Sequence, residues 1–363
     1  MIRVKVCIIL GTRPEIIKMS PVIRECEKRG LEYFTIHTGQ HYSYEMDRIF
    51  FEELMLPPVK YNLDVGSGSQ GRQTGRMIGG IEEILMLEKP DIAYVQGDTN
   101  TVLAGALAAS KLFVKVGHIE AGLRSFDRTM PEEINRVVAD HVSDLLFAPT
   151  EQARELLLKE GIPTDKIFVT GNTIVDAVVE NRKIAERSDV LDRLGLEGGR
   201  YMLSTVHRQE NVDVEPRLRS ILKGLDMASQ KAQLPIVLPM HPRTKKMIIE
   251  FGLAIPPSIR VAEPVGFMEF LQLEAKSRLV LTDSGGVQEE CCILGVPCVT
   301  LRENTERPET VDVGANMLAG YKSDRILGCA MEMMDRRKPW VNPFGDGKAG
   351  NRIINITEKA LAQ

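Results

Sequence analysis

Short apolar runs recur along the whole chain and alternate with segments of helical periodicity. Because hydrophobicity within these runs is continuous and not alternating, they predict buried strands of parallel sheets that crossover helices cover on both faces. We therefore predict an α/β fold with two Rossmann-like parallel-sheet domains that face a cleft. The predicted strands span residues 4–10, 33–38, 91–96, 114–120, 144–149, 166–170, 201–207, 235–241, 258–263, 278–283 and 297–302.

A charged stretch of weak periodicity, residues 181–200, separates the two sets of apolar runs. It predicts an N-terminal domain at residues 1–171 and a C-terminal domain at residues 172–347. The last segment, residues 348–363, is predicted to be a separate C-terminal helix. Its apolar residues, Ile353, Ile354, Ile356 and Leu361, have the spacing of a helical stripe.

Composition excludes several classes of function. A formal net charge of −4 without a basic run disfavours a nucleic-acid partner. The six cysteines form no CxxC pair, and several lie in apolar runs, which predicts free thiols in a reducing compartment. No apolar run has the length of a signal peptide core or of a membrane-spanning helix. The sequence therefore predicts a cytoplasmic protein with no membrane partner.

Nearly every predicted strand ends in glycine or polar residues. In open α/β sheets, ligands bind beyond the carboxyl ends of the strands. Seven such ends therefore predict a polar, ligand-sized cleft, and they comprise residues 11–13, 39–41, 97–99, 120–122, 207–208, 241 and 283–286.

One of these ends, 280-VLTDSGGVQEECC-292, has the features of a phosphate-binding turn. A strand that enters a helix through residues 284–286 offers backbone N–H groups and a positive dipole end, without a Cβ to block a ligand oxygen. A tight turn that needs glycine only for its dihedral angles is the alternative. On the helix that follows, Glu289 should point away from the buried stripe. Glu290 should lie on its flank, where a carboxylate can accept hydrogen bonds from sugar hydroxyls.

Three carboxylates in the first half suggest acid/base chemistry. Asp98 and Glu120 each end a buried strand, where a carboxylate needs a partner or a task. Glu132 begins the helix of 129-TMPEEINR-136. There it also fits a capping box with Thr129, or an ion pair with Arg136, so a structural role is open.

Arg13 and Lys18 follow the first strand and are candidate anion ligands. Paired carboxylates beside them would suit proton transfer on a sugar whose anionic leaving group is held by cations. Both cations could equally be solvated surface residues.

Other motifs argue against metal and cofactor chemistry. His41, His207 and His241 lack the HxxxH or HxH spacing that brings two metal ligands together, so no metal site is predicted. The dinucleotide fingerprint GxGxxG, the P-loop pattern and the GxSxG motif are absent from the sequence. Dehydrogenase, P-loop and serine-hydrolase functions are therefore disfavoured.

Ten short motifs together resemble the non-hydrolysing UDP-N-acetylglucosamine 2-epimerases. The resemblance runs from residue 4 to about residue 320. It implies a GT-B-like architecture, shared with one class of glycosyltransferases, in which the last helix crosses back to the first domain. It also implies a homodimer that needs no nicotinamide or metal. In chain order the motifs are GTRPEIIKMSPVI, TGQHY, VQGDT, HIEAGLRS, MPEEINR, TGNTIVDA, HRQEN, TDSGGVQEE, GVP and TERPE.

Members of this family interconvert UDP-N-acetylglucosamine and UDP-N-acetylmannosamine. The C2 hydrogen of the sugar is not beside a carbonyl, so the C1–O bond to UDP must break first or concurrently, which gives a glycal and UDP. The proton returns to the opposite face of C2, and UDP then adds back. Such a site needs acid/base groups at both faces of C2 and cations for the departing diphosphate. The product would supply surface polysaccharide synthesis.

The resemblance also implies roles for individual residues. Asp98 and Glu120 should transfer protons at C2, Glu132 should orient the sugar or share that work, and His207 should stabilise the diphosphate during catalysis. The implied substrate-binding residues are Arg13 and Lys18 for the diphosphate, Ser284, Gly285 and Gly286 for its phosphates, Glu290 for the ribose, Val265 and Phe270 for the uracil, Arg307 near the phosphates and sugar, and Arg136.

Many family members bind a second substrate molecule as an allosteric activator. One departure bears on this site: Ser43 stands where a glutamine is common. A separate departure is Asp213, where bacterial members usually have glycine, and it predicts a differently shaped loop at that position. The effector site is nevertheless expected here, because the residues that match it are Gln40, His41, Arg72, Arg208 and His241.

Three other functions stay open. A glycosyltransferase of the same architecture would share the Ser-Gly-Gly turn but would not need three acids in the first domain. A hydrolysing epimerase would release UDP and free N-acetylmannosamine. A non-catalytic nucleotide-sugar sensor would bind without turnover, and the three acids argue against it.

Overall fold

The structure, a computed structural model, describes residues 4–40, 44–336 and 339–362, with the backbone alone for residues 44–47 and 49. The chain divides into two units. Unit 1 comprises Met1–Val179 and Phe344–Gln363, and unit 2 comprises Glu180–Pro343. The first boundary, between Val179 and Glu180, lies within the helix Thr173–Ala185.

Unit 1 is built on one parallel sheet. Its strands are β1 (Lys5–Leu10), β2 (Glu32–His37), β3 (Tyr61–Asn62), β4 (Ile92–Gln96), β5 (Lys115–Ile119), β6 (Leu145–Ala148) and β7 (Ile167–Val169). They are paired in the order β3-β2-β1-β4-β5-β6-β7. Its helices are α1 (Arg13–Arg29), α2 (Tyr44–Glu53), α3 (Gln70–Glu88), α4 (Asn100–Lys111), α5 (Pro131–Val142), α6 (Glu151–Lys159) and α7 (Thr173–Ala185), with a 3-10 turn at Thr164–Lys166.

The middle of this sheet positions the polar residues that follow its strands. β1, β4 and β5 lie side by side, and nearly all of their residues are buried, which is why continuous hydrophobicity marked them. At Gly117 in β5, a Cβ would lie 2.6 Å from Cδ1 of Tyr94, so only glycine leaves room for that ring. Because the strands are parallel, the residues that follow β1, β4 and β5 lie at the same edge of the sheet.

Unit 2 contains a second parallel sheet. Its strands are β8 (Met202–Thr205), β9 (Ile236–Pro239), β10 (Ile259–Ala262), β11 (Val280–Thr282), β12 (Cys298–Thr300) and β13 (Asn316–Leu318). They are paired in the order β10-β9-β8-β11-β12-β13. The helices that follow α7 are α8 (Val190–Arg193), α9 (Gln209–Val212), α10 (Glu215–Ala232), α11 (Pro242–Glu250), α12 (Phe267–Lys276), α13 (Gly285–Leu294), α14 (Pro308–Asp312) and α15 (Ser323–Asp335).

The predicted fold class of two Rossmann-like parallel-sheet domains is confirmed. Every predicted strand overlaps an observed one. The sequence did not predict the two edge strands β3 and β13, because they have two and three residues and no continuous apolar run. Within the described residues, no helix is both long enough and apolar enough to cross a bilayer.

The last helix, α16 (Ala349–Leu361), belongs to unit 1 and packs against α1. The Tyr94 hydroxyl lies 2.6 Å from Oγ1 of Thr357, and Gly350 lies so close to α1 that a Cβ would be 3.0 Å from the Pro21 oxygen. The buried Asp176 carboxylate accepts hydrogen bonds from the first N–H groups of the helix, at 3.1 Å from Ala349 and 2.9 Å from Gly350. One carboxylate therefore fixes the start of α16 to α7.

We expect Asp176→Ala to loosen the last helix. The variant removes the acceptor for two helix N–H groups, so the free energy of unfolding should fall by about 1–3 kcal/mol. Amide hydrogen exchange measured along α16 should accelerate first. Asp346→Ala is the control, because Asp346 also lies near this helix but makes only an exposed pair with Arg352. Equal exchange in both variants would contradict the assigned role of Asp176.

Candidate active site

Glu120 lies at the end of β5 and is buried, with only 6% of its surface exposed. Lys18 on α1 places its Nζ 2.6 Å from Oε2 of Glu120, and the Gln96 side-chain amide donates to the same oxygen. The ammonium compensates the carboxylate charge, which would otherwise be costly to bury. Sequence analysis proposed both residues for the site, and the structure brings them into direct contact.

The backbone of Glu120 adopts a conformation that is unusual for a residue with a side chain. Its φ is +69°, in the left-handed region, which costs a non-glycine residue about 1–3 kcal/mol. The turn is held because the N–H groups of Glu120 and Ala121 both donate to the carbonyl oxygen of Phe147, at 3.1 and 3.2 Å. This conformation sets the direction in which the carboxylate leaves the strand end.

Asp98 follows β4, the strand next to β5, and its side chain is 33% exposed. Its carboxylate forms an ion pair with Arg136 on α5, and Asn135 donates to its backbone oxygen at 3.0 Å. Arg136 also pairs with Glu133 at 2.5 Å. Asp98 is therefore an accessible carboxylate held by one side of α5, in contrast to the buried Glu120.

Glu132 is half-buried in the first turn of α5 and forms no capping box. Thr129 instead bonds to Asp127, and the helix starts one residue later than a capping box requires, with Met130 as its N-cap. The neighbouring Glu133 accepts from the backbone N–H groups of the preceding loop and takes the expected partner Arg136. Helix α5 therefore begins without a capping box, and the predicted ion pair with Arg136 is formed by Glu133 instead of Glu132.

Arg13 is the first residue of α1 and lies half-buried, with its guanidinium 4.8 Å from the centre of the Phe50 ring. It is thus at the same strand-end edge as Glu120 and Asp98. Lys18 is one turn further along α1 and is buried. The two predicted cations therefore differ in environment.

Glu15, which was not predicted as a site residue, is a fully buried carboxylate between the ends of β1 and β4. Its oxygens accept from the Gly11 N–H at 2.9 Å, the Thr12 hydroxyl at 2.8 Å and the Thr99 hydroxyl at 2.7 Å. Burial raises its pKa to about 7, although these hydrogen bonds oppose the shift. Glu15 links the turn after β1 to the turn that contains Asp98. In the sequence it resembled an ordinary acid in a first helical turn.

In unit 2, residues 284–286 pass from β11 into α13 as predicted. Ser284 is the N-cap, and Gly285 and Gly286 are the first two helical residues, whose N–H groups have no acceptor within the helix. Glu289, predicted to point away from the buried stripe, is itself fully buried, with its Oε1 2.5 Å from Nε of Arg307. α13 is buried on more than one face, so a single stripe does not describe it.

Glu290, in the middle of the same helix, is buried, with 9% of its surface exposed. Beside it lies Glu274 on α12, which is fully buried. Burial first, and the Glu290 charge second, raise the pKa of Glu274 well above its ordinary value. Burial and the neighbouring Glu290 thus favour the protonated form of the Glu274 carboxyl.

Asp283, immediately before the Ser-Gly-Gly turn, organises the loop after β8. Its carboxylate accepts from the backbone N–H groups of His207 and Arg208 at 3.0 Å and from the Asn211 amide at 3.2 Å, and Nδ1 of His207 lies 3.2 Å away. Burial alone would raise the pKa of Asp283, but His207 and these donors lower it below its usual range. Asp283 therefore fixes His207 beside the start of α13.

The predicted uracil residues, Val265 and Phe270, are half-buried around the start of α12 and pack on the apolar core of unit 2. The predicted effector residues are spread over both units. In unit 1, the Gln40 side-chain oxygen accepts from the Thr101 N–H at 3.1 Å, and Arg72 is exposed on α3.

Two of the remaining predicted effector residues, Arg208 and His241, belong to unit 2. The rings of His207 and His241 lie 5.3 Å apart, and His241 is the N-cap of α11. Arg208 is half-buried beside His207. His41 lies outside the described residues.

Parallel sheets with polar residues at their strand ends and a glycine-rich helix start are features of proteins that bind nucleotides or phosphate groups. A family model described as UDP-N-acetylglucosamine 2-epimerase matches residues 24–358. The chain therefore belongs to the UDP-N-acetylglucosamine 2-epimerase family.

Individual relatives agree with this assignment. The chain is 56% identical to the UDP-N-acetylglucosamine 2-epimerase of Methanocaldococcus jannaschii over 97% of this chain and 98% of that protein. A crystal structure of the Methanocaldococcus jannaschii UDP-GlcNAc 2-epimerase in complex with UDP-GlcNAc and UDP has a TM-score of 0.92 at 56% identity, and covers 98% of this chain and 99% of that one. The chain is also 43% identical to the UDP-2,3-diacetamido-2,3-dideoxy-D-glucuronate 2-epimerase of Pseudomonas aeruginosa, over 98% and 99% of the two chains.

We expect Glu15 to make the protein less stable as the pH rises. Its carboxyl keeps its proton in the folded protein up to about pH 7, whereas the unfolded chain loses it near pH 4.5. The folded state therefore binds more protons between these values, and the free energy of unfolding falls by up to about 3 kcal/mol as the pH increases through this window.

Glu15→Gln should remove this component, since an amide can retain an acceptor for Gly11 and a donor for Thr99 without titrating. The measurement is the midpoint of thermal unfolding at a series of pH values for wild type and variant. Glu83→Gln, at an exposed position of α3, should keep the wild-type slope. Parallel curves for wild type and Glu15→Gln would show that Glu15 is ionised when folded.

Proposed function

We propose that this protein reversibly epimerises UDP-N-acetylglucosamine to UDP-N-acetylmannosamine at C2, by elimination of UDP to a glycal and re-addition. The observation that carries this proposal is the pair of carboxylates at neighbouring strand ends, Asp98 and Glu120, each paired with a different cation. Family membership supports the substrate class, as does the relative whose crystal structure contains UDP-GlcNAc and UDP.

The chemistry requires two proton transfers at one carbon. A carboxylate takes the C2 proton while the electron pair of the C2–H bond forms the C1–C2 double bond and the C1–O bond breaks, so that UDP leaves with that bonding pair. A second acid then protonates C2 from the other face, and the UDP oxygen attacks C1. Asp98 and Glu120 are the candidates for these two tasks, and Glu132 is close in sequence to the arginine that holds Asp98.

Lys18 links the proton transfer to the leaving group. Its ammonium lies 2.6 Å from the Glu120 carboxylate, so it would place positive charge beside the acid and the departing diphosphate together. Arg13, at the start of the same helix, would add a second cation. Charge that develops on the departing diphosphate would thereby be stabilised beside the acid that moves the proton.

Unit 2 would bind the nucleotide. The N–H groups at the start of α13 suit the diphosphate, and Glu290 suits the ribose hydroxyls. His207 directs Nδ1 to Asp283, so Nε2 is the ring nitrogen available for a phosphate oxygen. Arg307, which is paired with Glu289, would contribute charge near the phosphates, and Val265 and Phe270 would contact the uracil.

Several further properties form part of this proposal. We infer a cytoplasmic homodimer without cofactor, in which a second UDP-N-acetylglucosamine activates the enzyme through the effector residues given above. The nucleotide would remain attached to the product, which would supply surface polysaccharide synthesis.

The proposal predicts that deuterium enters C2 when the protein turns over UDP-N-acetylglucosamine in heavy water. NMR of this mixture reports the product, the attachment of the nucleotide and the solvent exchange together. Free UDP with N-acetylmannosamine would identify a hydrolysing epimerase instead, and product formed only with an acceptor would identify a glycosyltransferase. A parallel reaction with UDP-2,3-diacetamido-2,3-dideoxy-D-glucuronate tests the substrate of the 43% identical relative.

Asp98→Asn and Glu120→Gln should each lower the epimerisation rate by about 100-fold to 10,000-fold, because an amide cannot accept or return the C2 proton. Initial rates of UDP-N-acetylmannosamine formation give the comparison. Glu83→Gln should retain full activity. If either site variant kept the wild-type rate, its residue would not transfer the proton.

A further inference from the structure

The fully buried His118 lies in β5, two residues before Glu120, with an acceptor at each ring nitrogen. Nδ1 is 2.6 Å from Oδ1 of Asp140, and Nε2 is 2.8 Å from the carbonyl oxygen of Gly97. A carbonyl oxygen can only accept, so Nε2 must carry a hydrogen. The proton state of the ring then depends on Asp140.

Asp140 behaves as an ionised carboxylate. Its Oδ2 lies 2.8 Å from Nη1 of Arg124 and accepts from the Gly122 N–H at 3.2 Å. Burial alone would raise the pKa of Asp140, but His118 and Arg124 lower it. With Asp140 ionised, Nδ1 must also donate, because a ring lone pair against a buried carboxylate would be strongly unfavourable. His118 is therefore a doubly protonated imidazolium.

Charge balance supports this state. Two cations, His118 and Arg124, face two carboxylates, Asp140 on α5 and Glu160 at the end of α6, where Glu160 binds Arg124 at 2.6 Å. Burial alone would lower the pKa of His118, but the Asp140 carboxylate and the Gly97 carbonyl raise it above its ordinary value. The cluster can thus be buried without net charge.

This cluster contacts the turns that carry both acids. Gly97 immediately precedes Asp98; its carbonyl binds His118, and its N–H donates to the Ile119 oxygen at 3.1 Å. On the other side, Asp140 holds the N–H of Gly122, two residues after Glu120. The same histidine and aspartate therefore connect the end of β4 to the turn after β5.

Helix α5 connects the cluster to Asp98 by a second route. Arg136 and Asp140 lie one turn apart on this helix, so the element that binds His118 also delivers the guanidinium that pairs with Asp98. Displacement of α5 would therefore move both contacts together.

We propose that the His118 imidazolium, clamped between Asp140 and Gly97, is a positioning residue that fixes the spacing of Asp98 and Glu120 for the two proton transfers. The proposal rests on the epimerase function proposed above. His118 does not touch the substrate; it acts through the two turns. A displacement of about 1 Å at reacting groups can cost about 100-fold in rate, so loss of the clamp should affect chemistry more than binding.

His118→Gln and Asp140→Asn test the clamp. The glutamine has both its donors on one nitrogen, so it cannot reproduce the separate donors at Nδ1 and Nε2, and the asparagine removes the negative charge that stabilises the imidazolium. Each variant should lower kcat by about 10-fold to 100-fold. KM and the affinity for UDP should change by less than about twofold, because the partners of the clamp, Gly97, Gly122 and Arg124, are not among the proposed nucleotide contacts. His141→Gln, an exposed histidine one residue after Asp140, should match wild type.

Nitrogen-15 NMR of histidine-labelled wild-type protein provides a readout that does not depend on variant folding. One resonance pair should show both ring nitrogens protonated at pH 7.5, and it should change in Asp140→Asn. The wild-type to His118→Gln ratio of kcat should be constant at low pH. It should fall as the pH rises through the raised pKa of His118, because the clamp is lost with the second proton.

The outcomes separate the two proposals. Absence of turnover by the wild type would overturn the proposed function, whatever the variants do. With an active wild type, the positioning role would be refuted by a neutral His118 at pH 7.5 or by a His118→Gln enzyme with wild-type kcat. A parallel loss of kcat and UDP affinity would also refute it, since that pattern indicates general loss of structure.

Discussion

The buried ion pair between Lys18 and Glu120 is the interaction on which the candidate site depends. A carboxylate at 6% exposure is tolerable only because an ammonium lies 2.6 Å away, and removal of either partner of such a pair typically costs about 3–5 kcal/mol. The pair requires α1 to start directly after β1 and β5 to lie two strands away in the sheet. The ion pair in the candidate site therefore forms only with this order of strands in the sheet.

Much of this arrangement could be predicted from the sequence, because parallel strands place their carboxyl ends at one edge. Asp98 and Glu120 were found that way, since each interrupts a run of apolar residues. Glu15 and His118 could not be found, because their roles come from neighbours distant along the chain. Thr99 contacts Glu15 from the turn after β4, and Asp140 contacts His118 from α5. No local pattern encodes these contacts.

In unit 2, the backbone of the turn could be predicted from the sequence, but the surroundings of a charged side chain could not. The Ser-Gly-Gly turn was predicted from backbone requirements that act locally, and helix α13 begins there. The burial of Glu289 could not be predicted, because a helical stripe says nothing about what covers the other faces of the helix. Arg307, which approaches from beyond β12, instead provides a buried partner for that carboxylate. When a helix is surrounded by other elements, the environment of its charged residues depends on partners that are distant along the chain. The sequence of the helix alone therefore does not predict it.

The position of α16 has a consequence for biosynthesis. The buried hydroxyl of Tyr94, in the centre of the sheet of unit 1, is satisfied by Thr357, and the closely approached Pro21 in α1 is covered by Gly350. Unit 1 therefore cannot complete its packing while the ribosome is still translating unit 2. In the nascent chain, the surface of α1 that α16 covers stays exposed until residues 349–361 emerge from the exit tunnel.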